Sequence, residues 1–159
     1  MAGTPRNPMT LAEVEATARA AHEGQADKAG RPYAEHLQAV AEGVRTRGGD
    51  EDQTAAAWLH DAVEDDALSE QWLNEAPLSA RTKNIVLAVT KRPGESPEAY
   101  AERILSTPGA LLVKEADLAH NADPARLARL TDEATRQRLT EKYAHMRALL
   151  GLAQQPPGL

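Results

Sequence analysis

Residues 58–65 read Trp-Leu-His-Asp-Ala-Val-Glu-Asp, and how this octet is read decides what kind of chain this is. On a helix, positions i, i+1, i+4 and i+5 share a face. His60, Asp61, Glu64 and Asp65 fill that set. Trp58, Leu59, Ala62 and Val63 lie mostly toward the other side, where they can anchor the segment in a core. An imidazole and three carboxylates on one face are costly to assemble unless a cation neutralises them. Imidazole with carboxylate suits a transition metal such as Mn, Fe or Zn. Acids left over from the ligand set can then work as acid and base. A solvated acidic helix end would account for Glu64, Asp65 and Asp66 taken alone. The apolar run at 54–59 that leads into the octet argues for burial instead.

Composition narrows the field around that octet. The chain has 159 residues, 42% of them hydrophobic and 26% charged, with a formal net charge of −6. This length suits one domain with a sizeable core and leaves no room for a second large catalytic domain. Phe is absent and Ala is abundant, so the core must be built from Ala, Leu and Val, which favours closely packed helices. The acidic balance excludes non-specific nucleic-acid binding, which needs a basic face. A small anionic substrate stays open, because a metal and a few Lys or Arg residues can set the local field. There is no Cys, which excludes disulfides and thiolate metal sites and leaves His and carboxylate as ligands. No segment reaches the apolar length of a membrane span, and residues 1–10 lack the apolar core of a secretory signal. The expected location is cytoplasmic, with no membrane partner; oligomeric state is not legible.

Apolar periodicity and capping signals predict helices at about 9–23, 32–47, 53–64, 69–74, 78–90, 96–106, 111–120 and 132–150. Asp123-Pro124 reads as a further cap-plus-Pro start. Thr10 with Glu13 fits a capping box, and Ser96-Pro97 is another clear start. No strand has a partner strand. The expectation is an all-α chain: a single compact domain of about seven to nine helices over 9–151, between a flexible arm at 1–8 and a disordered tail at 152–159.

A metal needs more ligands than His60 and Asp61. His36 lies on a helix face with Tyr33 and Val40, where a lone His is commonly a core or surface residue. Asp117 stands within an apolar stretch, and a buried carboxylate there needs a partner. Asn121 falls four residues later on the same face. A single ion held by His36, His60, Asp61 and Asp117 would account for these residues together.

The ordered set His36, His60-Asp61, Asp117 resembles the HD superfamily of metal-dependent phosphohydrolases. It is similar in particular to the hydrolase domain of the RelA/SpoT type. Residues 21–37, with His22, Gln25, Lys28, Gly30, Pro32, Tyr33 and His36, resemble the opening motif of that branch. Residues 56–65 resemble its second motif, and 113–121, with Asp117, His120 and Asn121, its third. Together they span roughly 20–145, nearly the whole domain. The resemblance implies a helical HD domain and a manganese ion on His36, His60, Asp61 and Asp117. It implies that Glu64 and Asp65 position or activate the attacking water. It implies substrate contact by Lys28, Asn121 and Tyr143. The reaction it implies is removal of pyrophosphate from the 3′ position of guanosine tetra- or pentaphosphate.

Lys142 and Arg138 are further candidates for binding phosphate, with solubility as their plain reading. Tyr143 either stacks on a base or closes the core. His22 and His120 are expected as hydrogen-bonded supports of the ligands. Two positions depart from the branch pattern: Asp27 stands where it has an Arg that stacks on guanine, and Asp123 where it has another Arg. Asp123 has a structural reading as a helix cap. Another HD-type nucleotidase or phosphodiesterase, acting on a different nucleotide, is therefore the alternative.

Overall fold

Ser, Thr and Asp side chains set where the helices of this chain begin. The computed structural model describes residues 7–154. Thr10 accepts from the Glu13 amide while the Glu13 side chain answers the Thr10 amide, a capping box that opens α1 (Leu11–Ala21). Pro32 precedes α2 (Tyr33–Thr46), and its missing N–H is harmless at a helix start. Asp50 and Gln53 form a second capping box at α3 (Glu51–Leu59). Ser69, Ser79 and Ser96 cap α4 (Glu70–Glu75), α5 (Ala80–Val89) and α6 (Pro97–Ser106). Gly109 leads into α7 (Ala110–Asn121), and Asp123 and Asp132 cap α8 (Pro124–Leu127) and α9 (Glu133–Leu149). Among the described residues there are nine helices and no strand, only an isolated bridge between Ala26 and Pro32. The all-α expectation holds. No helix of the described residues is long and apolar enough to cross a membrane.

The architecture is organised around α3. All of its residues from Gln53 to Leu59 are buried, and it packs on α1, α2, α5 and α7. A helix surrounded on all sides must present small groups to several neighbours at once, and Ala55, Ala56 and Ala57 do so. Leu37, Val40, Ala41 and Val44 of α2, Ile85 and Val86 of α5, and Val113 and Ala116 of α7 close the core around it. The packing of α2 on α7 decides how near His36 comes to Asp117. A Cβ at Gly43 would lie 3.2 Å from the Ala116 Cβ, so glycine lets the two helices approach, and this close approach sets the two side chains side by side.

The third helix is shorter than the periodicity predicts. It ends at Leu59 instead of running to residue 64. The octet is therefore not one continuous helix face, and the reason lies in His60. Its Nδ1 stands 2.6 Å from the Ala57 carbonyl, which spends one of the helix-terminal acceptors. The backbone then tightens through His60 N to Ala57 O, Ala62 N to Leu59 O and Asp66 N to Val63 O bonds, spaced like 3₁₀ turns. Asp66 closes the turn in the left-handed region at φ 57°, a conformation Asp tolerates better than most residues. Trp58, Leu59 and Ala62 still anchor the segment in the core.

Residues 1–6 of the expected arm and 155–159 of the expected tail lie outside the described residues. Inside the described range, Met9 donates its amide to the Pro77 carbonyl at 3.0 Å, Leu152 packs against the core, and Arg147 donates to the Ala153 carbonyl at 2.6 Å.

Candidate metal centre

Three segments deliver the four expected ligands to one point. His36 comes from the first turn of α2, His60 and Asp61 from the turn that ends α3, and Asp117 from α7. One ligand atom from each lies within 4.8 Å of all the others. His36 Nε2 and His60 Nε2 stand 3.0 and 3.2 Å from Asp117 Oδ1. Asp61 Oδ2 is 3.0 Å from His60 Nε2 and 3.7 Å from His36 Nε2. His36, His60 and Asp117 are buried. Two imidazole nitrogens and two carboxylate oxygens at these separations fit a divalent transition metal.

The surroundings prepare the donors for that role. His60 Nδ1 donates to the Ala57 carbonyl, which directs Nε2 at the two carboxylates, where a metal ion would take the place of the ring's second proton. His36 Nδ1 lies 2.7 Å from His120 Nδ1. Burial, with His36 and Arg126 nearby, pushes His120 down to about 4. His120 is then neutral and can accept a hydrogen bond from His36 Nδ1, leaving His36 Nε2 to face Asp117. Arg126 Nη1 makes the longer contact to the same nitrogen, 3.3 Å. The Tyr33 hydroxyl donates to Asp61 Oδ2. Burial opposes ionisation of Asp61, but the adjoining His60 holds it at about 2. Burial likewise opposes ionisation of Asp117, and Lys114, His36 and His60 hold it well below the usual carboxylate range.

The site opens into a cavity of about 390 Å³, with His36, Asp61 and Asp117 in its floor. Glu64 and Asp65 line it beside Asp61. Burial raises both carboxyls, the direction a general base near neutral pH requires. Glu64 accepts the Lys91 amide at 2.7 Å, and Asp65 accepts from Gln25 Nε2 at 3.0 Å. Gln25 Oε1 in turn faces His22 Nδ1 at 2.8 Å. His22 is buried and stacked on Tyr33. His120 thus meets the ligand His36 directly, whereas the contacts of His22 are with Gln25 and Tyr33.

Lys28, Asn121, Lys142 and Tyr143 all line the same cavity, whereas Arg138 is exposed on α9 and does not. Asn121 donates to Asp117 Oδ1 at 3.0 Å. The two departures from the branch pattern part company here. Asp123 caps α8, accepting from the Ala125 amide at 3.3 Å, and stays out of the cavity wall. Asp27 lines the wall and pairs with Arg126, whose Nη2 lies 3.3 Å from its Oδ2.

Sequence reasoning singled out neither Lys114 nor Arg126, and it gave Tyr33 and Gln25 no role of their own. Lys114 carries a readable signal: an ammonium three residues before a buried acid on one helix pairs with it, here at 2.9 Å. Arg126 carries none, because its partners Asp27 and Asn121 come from other segments.

Known proteins bear on this arrangement. The profile of the HD domain family matches residues 15–107, a stretch that contains His36, His60 and Asp61 and stops short of Asp117. A probable guanosine-3′,5′-bis(diphosphate) 3′-pyrophosphohydrolase of Synechocystis sp. is 44% identical over 70 residues, 44% of this chain and 9% of that protein. The guanosine-3′,5′-bis(diphosphate) 3′-pyrophosphohydrolase of Haemophilus influenzae is 35% identical over 115 residues, 65% of this chain and 17% of that protein. The match thus spans less than a fifth of the length of either relative. With more than half of its residues matched by the family profile and the His, His-Asp and Asp side chains converging on one point, this chain belongs to the HD domain family.

Proposed function

We propose that this chain is a divalent-metal-dependent hydrolase that removes the 3′-pyrophosphate of guanosine tetra- or pentaphosphate. The observation that carries this reading is the convergence of His36, His60, Asp61 and Asp117 within 4.8 Å beside a cavity lined by three further carboxylates, Asp27, Glu64 and Asp65, and several cations. The names of the two relatives supply the substrate. When bound, a divalent ion, manganese by the resemblance, would lower the pKa of a water toward ~7 and offset charge on the phosphoryl group.

The chain's own side chains do the rest. Glu64 and Asp65 hold the attacking water and take its proton, and partial desolvation at the cavity wall raises their affinity for that proton. The Lys91 amide and Gln25 fix where the two carboxylates point. Lys28 and Lys142 face the phosphates. Burial and the neighbouring cations Lys91, Lys28 and Lys114 lower Lys142, a field that an anionic substrate would relieve. Tyr143 offers an aromatic face at the cavity wall, and Asn121 bridges from Asp117 toward the ligand. Arg138, exposed and outside the wall, is the weakest of the proposed phosphate contacts. A cytoplasmic location is part of the same proposal, since its substrate class is intracellular.

One observation favours a second reading, hydrolysis of another nucleotide. Asp27 places a carboxylate on the cavity wall where the related branch has an arginine, although Arg126 brings a guanidinium to the same wall from α8. Incubating the purified protein with manganese and a panel of guanosine and adenosine polyphosphates separates the two. Pyrophosphate release from the guanosine 3′-pyrophosphates is expected. Release of phosphate or pyrophosphate from other nucleotides alone would establish the second reading, and no release from any would refute both.

A further inference from the structure

We propose that Lys114 is a positioning residue that restricts Asp117 to a single ligand oxygen. The two oxygens of Asp117 have different neighbours. Oδ1 faces His36 Nε2 at 3.0 Å and His60 Nε2 at 3.2 Å. Oδ2 is held by Lys114 Nζ at 2.9 Å. Lysine and aspartate stand three residues apart on α7, so the helix itself fixes the reach of the ammonium. The Lys114 side chain is 15% exposed and that of Asp117 6%.

A buried ammonium without a partner is expensive, and so is a buried carboxylate. Each therefore keeps the other in place. The ammonium also lies 5.2 Å from the centroid of the Tyr100 ring, a cation–π distance. That ring is fixed in turn, because the Tyr100 hydroxyl donates to the Val89 carbonyl at 2.6 Å. The ammonium is thus held from α7 and from the α5–α6 side together.

A carboxylate whose Oδ2 is committed to the ammonium presents its Oδ1 to a cation seated at the two imidazole nitrogens. Asp117 then contributes one oxygen, and room is kept beside the ion for an oxygen of solvent or substrate. This is the difference between a site that only stores a metal and one that can work on a ligand. The inference rests on the metal-binding half of the proposed function and does not depend on the identity of the nucleotide.

Cobalt(II) is a suitable probe, because its visible absorption reports coordination number. Lys114→Met removes the ammonium and keeps much of the length of the side chain. Loaded with cobalt, the Lys114→Met protein is expected to show the weaker, shifted bands of an ion with one more ligand. Its cobalt Kd should be unchanged or up to about tenfold tighter, and its hydrolysis about 10- to 100-fold slower, the scale of an outer-partner loss. Lys114→Gln, whose amide can still donate to Oδ2, is expected to keep the spectrum of the unsubstituted chain. A folded Lys114→Met protein with an unaltered cobalt spectrum overturns the proposal. Should Lys114→Met fail to fold, Lys114→Gln decides, and an altered spectrum in it overturns the proposal. If the spectra behave as expected while guanosine polyphosphates stay intact, the positioning role stands and the substrate reading falls.

Discussion

The two ends of the cavity are built on different principles. At the floor, His36, His60, Asp61 and Asp117 come from α2, the end of α3 and α7, three segments packed around one core. At the rim, Asp27 and Lys28 come from the α1–α2 connection, Arg126 from the four-residue α8, and Lys142 and Tyr143 from α9. Four ligand side chains converge at the first, whereas at the second a carboxylate, Asp27, is paired with the guanidinium of Arg126. Ligand geometry tolerates little displacement, and the ion's residues come from α2, α7 and the hydrogen-bonded turn that ends α3. Substrate selection can shift by exchanging side chains on a loop. Changes at the floor should therefore alter chemistry, and changes at the rim selectivity.

Four substitutions probe that division, in falling order of effect. Glu64→Gln removes a proton acceptor at the floor. Turnover is expected to fall by about 10²- to 10⁴-fold with bound metal unchanged, which kinetics and metal analysis of one preparation check together. Tyr33→Phe deletes the donor to Asp61. Metal affinity should drop about 10- to 100-fold, read by titration, and turnover at saturating metal should recover most of its value. If Tyr33→Phe instead lowers turnover at every metal concentration, the phenol belongs to the chemistry and not to the ligand's support.

Arg126→Ala breaks the Asp27 pair at the rim. KM for the nucleotide is expected to rise about tenfold, on the scale of a lost hydrogen bond to a charged group, with a smaller fall in kcat, because Arg126 also meets His36 Nδ1 at 3.3 Å and Asn121. An equal loss in kcat would dissolve the distinction between rim and floor. Asp50→Ala touches neither end. It removes the capping box of α3, should cost about 1 kcal/mol, and is read by thermal unfolding. The hydrogen bond from the Gln53 amide, with help from Arg81, lowers Asp50 against the opposing effect of burial. Its contribution is therefore full above the unfolded carboxyl's pKa and lost as pH falls through the lower folded value. The difference in Tm between Asp50→Ala and the unsubstituted chain should narrow in acid.

Much of this was legible in the sequence because the signals were local. Thr10 with Glu13, Ser96 with Pro97 and Asp123 with Pro124 mark helix starts through contacts within a few residues. The four ligands stood out as polar groups in apolar or acidic surroundings. The end of α3 was misplaced because periodicity continues smoothly through 60–64, while the actual stop is a side-chain bond from His60 to Ala57. Arg126 stayed hidden for a different reason. Its partners Asp27 and Asn121 stand 99 and 5 residues away, and only the packed fold brings the first of them near. Lys114 could have been read from its spacing to Asp117, had a buried acid been asked which cation it meets besides a metal.

One divalent ion shared by His36, His60, Asp61 and Asp117 is the centre of the proposed chemistry. Equilibrium titration of the purified chain with manganese, beside His36→Ala and Asp61→Ala, measures this directly. One ion per chain is expected, with affinity reduced by more than about 100-fold in either variant, beyond what loss of an outer partner brings. Binding of no manganese, or equal binding by all three proteins, would contradict it.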